Sequence, residues 1–398
     1  MISPGGSATS PSVGSERFSD EFLEGLRREG DAGADEAVQT FFEVVDASAS
    51  GLYPMLVRAT GGGLDDEHAP GVAAFARMLE PWPEWADASL VRLGQEVFGD
   101  WGMQLSAGLF MASLPMTYAC AKGAEPLVRT ARMTSNPKRR FLETGQMIID
   151  VMSPGSLVAG ARGYQAVRHV RLMHAAVRYT LTHPESVEVM GAPPLEAWDP
   201  SLGTPLNQED LLGCLLAFSV LGLRSLERVG VRLNAREAEA YVHTWNLVGY
   251  QIGVRPDLLP LDHADATTVA NRIFARQSAA SAAGQELTAT ALGAMGDLLG
   301  SKRFVGLPAS GVRYFLGSEV ATLLGVPPAD WTRMIFPLMR RIDSALSGVL
   351  GLLPGQHSIS AALGRRFVIG LEAAERGGGR PQFEISDELR SAWGIDLN

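Results

Sequence analysis

Apolar residues recur every three to four positions along nearly the whole chain, the period of an amphipathic helix. The alternation of a half-buried strand is almost absent, and no Asn-Gly hairpin occurs. Gly and Pro punctuate the pattern. The periodicity predicts helices from Ser19 to Glu29, from near Asp35 with Val38, Phe41, Phe42 and Val45 inward, from Pro70 to Glu80, and from Asp87 to Phe98. An apolar run rich in Met and small residues covers Trp101 to Ala119. Further helices span Pro126 to Arg132, Lys138 to Met152, Tyr164 to Leu181, Leu211 to Arg228, Ala235 to Gly253, Ala264 to Ala280, Glu286 to Leu299, Val312 to Leu324, Ala329 to Val349 and Ser358 to Ala374. The fold class is therefore all-α. Residues 1–15, rich in Ser, Gly and Pro, read as a disordered tail, and 16–398 as a single large helical domain with no fixed-period repeat.

Composition narrows the function. Of the 398 residues, 46% are hydrophobic and 20% charged, enough to build a sizeable core. The net charge of −10 argues against a nucleic-acid partner, and the short basic run Lys138-Arg139-Arg140 does not reverse it. The longest apolar run, Leu211 to Leu223, is too short for a membrane span. Two cysteines, Cys120 and Cys214, lie in apolar helical runs without zinc-ligand spacing and read as buried thiols. With no apolar leader at the start, the expected compartment is the cytoplasm. The oligomeric state is left open.

Nucleophile elbows, phosphate loops and HExxH motifs do not occur. Nor do paired Glu-x-x-His motifs, which a carboxylate di-iron bundle needs. Glu239 and His243, four apart, read as a solvated or capping pair. A two-His, one-carboxylate iron site stays open on spacing alone. One stripe stands out. Arg171, His174 and Arg178 share a helix face: cation, imidazole, cation. Arg140, Glu143 and Thr144 form a second stripe upstream. Both lie in helices that otherwise read as core, where charge is costly unless paired. An imidazole between two guanidinium groups suits an iron cofactor with acidic side groups, such as haem. From the residues alone, a buried Arg/His network bonded to carboxylates elsewhere accounts for the stripe as well and is the plainer reading.

Arg171-x-x-His174-x-x-x-Arg178, preceded by Arg140-x-x-Glu143-Thr144, resembles the latex clearing protein (rubber oxygenase) family and its wider oxygenase-like superfamily. That superfamily includes a fungal enzyme of mycophenolic acid biosynthesis that trims a prenyl side chain. Gly203 to Asp210 and the segment Tyr241-x-His243-x-Trp245-x-x-x-Gly249-x-x-x-Gly253-Val254 carry the likeness further, over roughly residues 121–261. The resemblance implies a globin-like helical core around haem b. His174 is then the proximal iron ligand, with Arg171 and Arg178 near the propionates. Arg140, Glu143 and Thr144 fall on the distal side, and Glu125 is the nearest upstream candidate for a base. The chain departs from the family where Glu143 replaces a lysine. A carboxylate there can act as an acid/base or pair with Arg140 three residues back. That departure, with the missing export signal, turns the expectation from polymer cleavage to a small hydrophobic, isoprenoid or prenylated substrate and O2, with attack at a carbon–carbon double bond. The alternative is a non-catalytic haem or hydrophobic-ligand-binding helical protein.

Overall fold

A computed structural model describes residues 17–44, 74–75, 81–132, 137–184, 196–299, 302–338 and 340–341, with the side chains of 41, 43–44, 131–132 and 137–142 left aside. The expected N-terminal tail, the Gly61-Gly62-Gly63 loop, most of the helix expected over 70–80 and the whole of that over 358–374 fall outside these residues. Among the described residues there is no strand; one isolated bridge joins Cys120 and Ser278.

The helices run in order: α1 Asp20–Leu26, α2 Ala32–Val44, α3 Ala88–Gly108, a π-helical turn Leu109–Ser113, α4 Leu114–Ala119, α5 Ala121–Arg132, α6 Pro137–Met152, α7 Arg162–Thr182, α8 Gln208–Arg228, α9 Ala235–Ile252, α10 His263–Gln277, α11 Ala282–Leu299 and α12 Leu307–Leu323. The core runs through α8 and α9. Leu212, Leu216, Val220 and Leu226 of α8 are buried with Trp245, Leu247 and Val248 of α9. α8 is apolar almost all round, as a helix enclosed on every side must be.

Local chemistry explains the boundaries. Asn234 caps α9 in a reciprocal box with Glu237, and Gly253 ends it at φ 100°, a conformation that disfavours any side chain. Asn207 caps α8, so that helix begins at Gln208, three residues before the apolar run suggests. The expected break between Phe98 and Trp101 is instead a kink at Trp101 inside α3, and the helix continues into the π-helical turn. Pro126 lies inside α5 and does not start it. The helix expected from Ala329 begins as the 3-10 turn Trp331–Met334, capped by Asp330, and its expected end lies outside the described residues.

Charge fastens the N-terminal helices to this core. Arg27, fully buried just after α1, donates to Glu209 at 3.2 Å, to Asp210 at 2.9 Å and to the Leu202 carbonyl at 2.8 Å. Glu209 also accepts from Arg276 at 3.0 Å and from Gln277 at 2.6 Å. A buried carboxylate is tolerable only with such a full set of donors.

α3 and α9 touch along much of their lengths. Gly94 permits this: a Cβ there would collide with the Ala240 carbonyl and the Thr244 hydroxyl. Gly94→Ala is expected to lower unfolding free energy by roughly 1–3 kcal/mol through overpacking. Urea unfolding of the variant measures it, and an unchanged midpoint would contradict the contact.

Candidate functional site

α7 carries the cationic stripe, and α2 packs against it. The beginning of α2 brings carboxylates at a four-residue spacing onto the two arginines. Arg171 Nε lies 2.5 Å from Asp31 Oδ2 and its Nη2 3.0 Å from Oδ1, a two-pronged pair. Arg178 Nε lies 2.6 Å from Asp35 Oδ1. The carboxylates are tied to each other as well, since Asp35 Oδ2 accepts the Asp31 amide at 3.0 Å. Gly30 and Gly253 make the approach possible. A side chain at Gly30 would strike Asp35 and Arg178, and one at Gly253 would strike Asp31 and Arg171.

Arg178 is held a second way. Its Nη1 donates at 3.0 Å to the carbonyl of Leu206. Leu206 has φ 50°, the only non-glycine with positive φ among the described residues. A branched residue in that region stores strain, and here the strained turn between Gly203 and Asn207 points its carbonyl at the guanidinium. Arg178 Nη2 is buried with no hydrogen-bond partner.

His174 lies between these pairs on the same face. The residue is half-buried, yet its Nδ1 is enclosed and has no hydrogen-bond partner. Burial, reinforced by the Arg178 charge and opposed by Asp31, pushes its pKa down to about 3. The ring is therefore neutral at physiological pH, the form that ligates metal. His169, on another face of α7, is pushed down to about 4 by burial. Arg168, also buried, places its guanidinium 4.1 Å from the Phe75 ring centroid and donates to the Phe75 carbonyl.

α6 carries the second stripe and packs against α7. Glu143 and Thr144 are half-buried there. Arg140 lies on the same helix one turn before Thr144, with its side chain outside the described residues, so its expected pairing with Glu143 lies outside them too. At Gly145 the ring of Phe110, from the π-helical turn, approaches so closely that a Cβ would sit 3.1 Å away. Glu125, on α5, is 3.7 Å from Arg129 one turn on. His243 Nε2 accepts the Asp87 amide at 2.9 Å, and Glu239 accepts the His263 amide, so that pair does cap neighbouring backbone. Both cysteines are free thiols; burial pushes Cys214 up to about 12 and Cys120 higher still.

The sequence reading missed Asp31 and Phe75 as partners of α7. The Asp31-x-x-x-Asp35 spacing was a usable signal, because it matches the pitch of a facing helix. Nothing in the spacing could pair it with arginines 140 residues away.

Residues 95–344 match the family described as ER-bound oxygenase mpaB/B'/Rubber oxygenase, catalytic domain. The chain belongs to this oxygenase family. The rubber oxygenase of Streptomyces sp. (strain K30) is 26% identical over 279 residues, covering 68% of this chain and 63% of that protein, so the chain matches under two thirds of its relative. A solved structure of latex clearing protein in its closed state superposes with a TM-score of 0.68 at 19% identity, over 91% of this chain and 94% of that one. The all-helical oxygenase fold is thereby shared. Asp31 and Asp35 lie ahead of the family-matched segment, which contains α6 and α7 whole. No described helix is long and apolar enough to cross a membrane.

The two lowered histidine pKa values set a pH dependence for the cofactor-free protein. Each ring is neutral when folded but takes a proton near pH 6.5 when unfolded. The unfolded state thus binds more protons between pH 6.5 and the folded values, and stability falls as pH drops through that window. At pH 5 the loss is on the order of 2 kcal/mol per histidine. Chemical unfolding at pH 7 and pH 5 should show it, and His174→Gln should remove its share; an unaltered pH slope in that variant would count against the buried neutral ring.

Proposed function

We propose that the protein is a haem-dependent oxygenase acting on a small hydrophobic substrate, of isoprenoid or prenylated type, with O2. The observation that carries this reading is the His174 imidazole, whose enclosed Nδ1 has no hydrogen-bond partner and whose burial favours the neutral ring, in a member of an oxygenase family. Among the described residues, no three His, Cys, Asp or Glu side chains converge to hold a bare metal ion. A single imidazole is all the protein must supply to iron already held by a macrocycle, so the donor set fits haem b.

His174 would hold the iron. Arg178, with its unsatisfied Nη2, is the nearer of the two arginines to being available for an acidic haem group; Arg171 would first have to share Asp31. When bound, haem supplies the one-electron and O2 chemistry that no side chain provides. Thr144 offers a hydroxyl donor to orient the reacting group. Glu143 offers a carboxylate that takes up or returns a proton. Arg140 adds positive charge on the same helix. The double bond of an isoprenoid unit is the electron-rich target in this scheme. Free thiols suit a cytoplasmic enzyme. The second reading is a haem-binding protein without turnover, favoured if haem is held but no O2 is consumed.

Purified protein supplied with haem should show a Soret band, and His174→Ala should lose haem on gel filtration. Oxygen uptake with prenylated compounds should fall about 100-fold or more in Glu143→Gln if that carboxylate moves a proton. A protein that retains no haem, or a Glu143→Gln variant with full activity, would overturn the corresponding assignment.

A further inference from the structure

Among the described residues most large apolar side chains are buried, but several exposed ones gather at one place. The 3-10 turn Lys302–Phe304 and the 3-10 turn Trp331–Met334 lie side by side. Gly306 is pressed against Asp330, where a Cβ would collide with the carboxylate, and the Phe304 and Trp331 rings are 5.6 Å apart. Around this contact Val305 is 65% exposed, Trp331 56%, Met334 67% and Leu338 56%. Clustered exposure of large apolar groups is unusual on a folded protein and marks a docking face.

The charge around the patch is opposite to that of the molecule. Lys302, Arg303 and Arg333 on these two turns, and Arg340 and Arg341 beyond the second, are all exposed. Among the described residues none of the five has an ion pair. The neighbouring carboxylate, Asp330, is turned into its own turn, accepting from the Thr332 amide at 2.9 Å and the Thr332 hydroxyl at 2.5 Å. In a protein of net charge −10, five exposed cations therefore share a surface with exposed Trp, Phe and Met. An aromatic and thioether cluster set among unpaired cations matches an interface whose apolar interior lies just below a negatively charged surface.

We propose that the face formed by Lys302–Val305, Trp331–Leu338 and Arg340–Arg341 docks on an anionic lipid surface, the Phe304, Trp331 and Met334 side chains entering the headgroup boundary and the cations meeting lipid phosphates. This is peripheral attachment by a surface patch, and it does not depend on how the His174 site is read. It would bring the protein to the phase in which a hydrophobic substrate dissolves.

Flotation of the full-length protein with vesicles tests it. Binding is expected to vesicles containing roughly one-third phosphatidylglycerol and not to phosphatidylcholine alone, and to weaken as salt is raised. Trp331→Ser with Met334→Ser should lower partition about tenfold or more, and Lys302→Glu with Arg303→Glu should remove the preference for anionic lipid. Circular dichroism checks that the surface variants fold. Three results overturn the proposal: no binding to anionic vesicles, equal binding by the variants, or slow hydrogen exchange of 302–305 and 331–338 without lipid. The last, with a sedimentation change in the Trp331/Met334 variant, would assign the face to a second copy; without one, to residues 342–398.

Discussion

Two guanidinium–carboxylate pairs, Arg171 with Asp31 and Arg178 with Asp35, decide how the centre of this protein can be used. They join a helix near the N-terminus to the helix that carries His174. Without Asp35 the buried Arg178 beside the imidazole would lose its carboxylate, at a cost of several kcal/mol. With both pairs the stripe is close to neutral, and His174 can stay uncharged in its enclosure. Removing Asp35 takes the carboxylate from the buried Arg178, so the N-terminal segment is part of the electrostatics around His174 although it lies outside the stretch matched to the oxygenase family.

The same device recurs one layer away. Arg27 draws in Glu209 and Asp210, and Arg276 closes the set from α10. Both networks attach residues 17–44 to the core by charge as well as by apolar packing. The strained Leu206 carbonyl connects them, since its turn lies between the Leu202 carbonyl held by Arg27 and the Asn207 cap of α8. Backbone strain persists where its surroundings determine it twice over, and here a capped helix and a buried arginine do so.

Much of this was legible from residue order. The 3.6-residue period gave the helical class and most element positions, because α8 and α9 are capped and apolar in the pattern a buried helix requires. The Arg171-His174-Arg178 stripe was visible because helical spacing alone puts three polar groups on one face of an apolar helix. Its partners were not. Asp31 pairs across 140 positions, and only tertiary packing brings it there. The π-helical turn at Leu109–Ser113 also left no periodic signal, since one extra residue per turn is absorbed within a run that is apolar throughout. The patch at Phe304 and Trp331 was hidden for other reasons: Trp331, Met334 and Leu338 fall in an expected helix, where apolar residues do not reveal which of them the fold leaves outside, and Phe304 lies between expected helices.

The central claim is that His174 supplies the iron ligand. Resonance Raman spectra of the ferrous, haem-loaded protein test it most directly, through the iron–imidazole stretch. That band should be present in the unaltered protein, absent in His174→Gly, and restored when free imidazole fills the space left by the ring. A band that survives in His174→Gly without added imidazole would contradict the assignment and move the ligand to another residue.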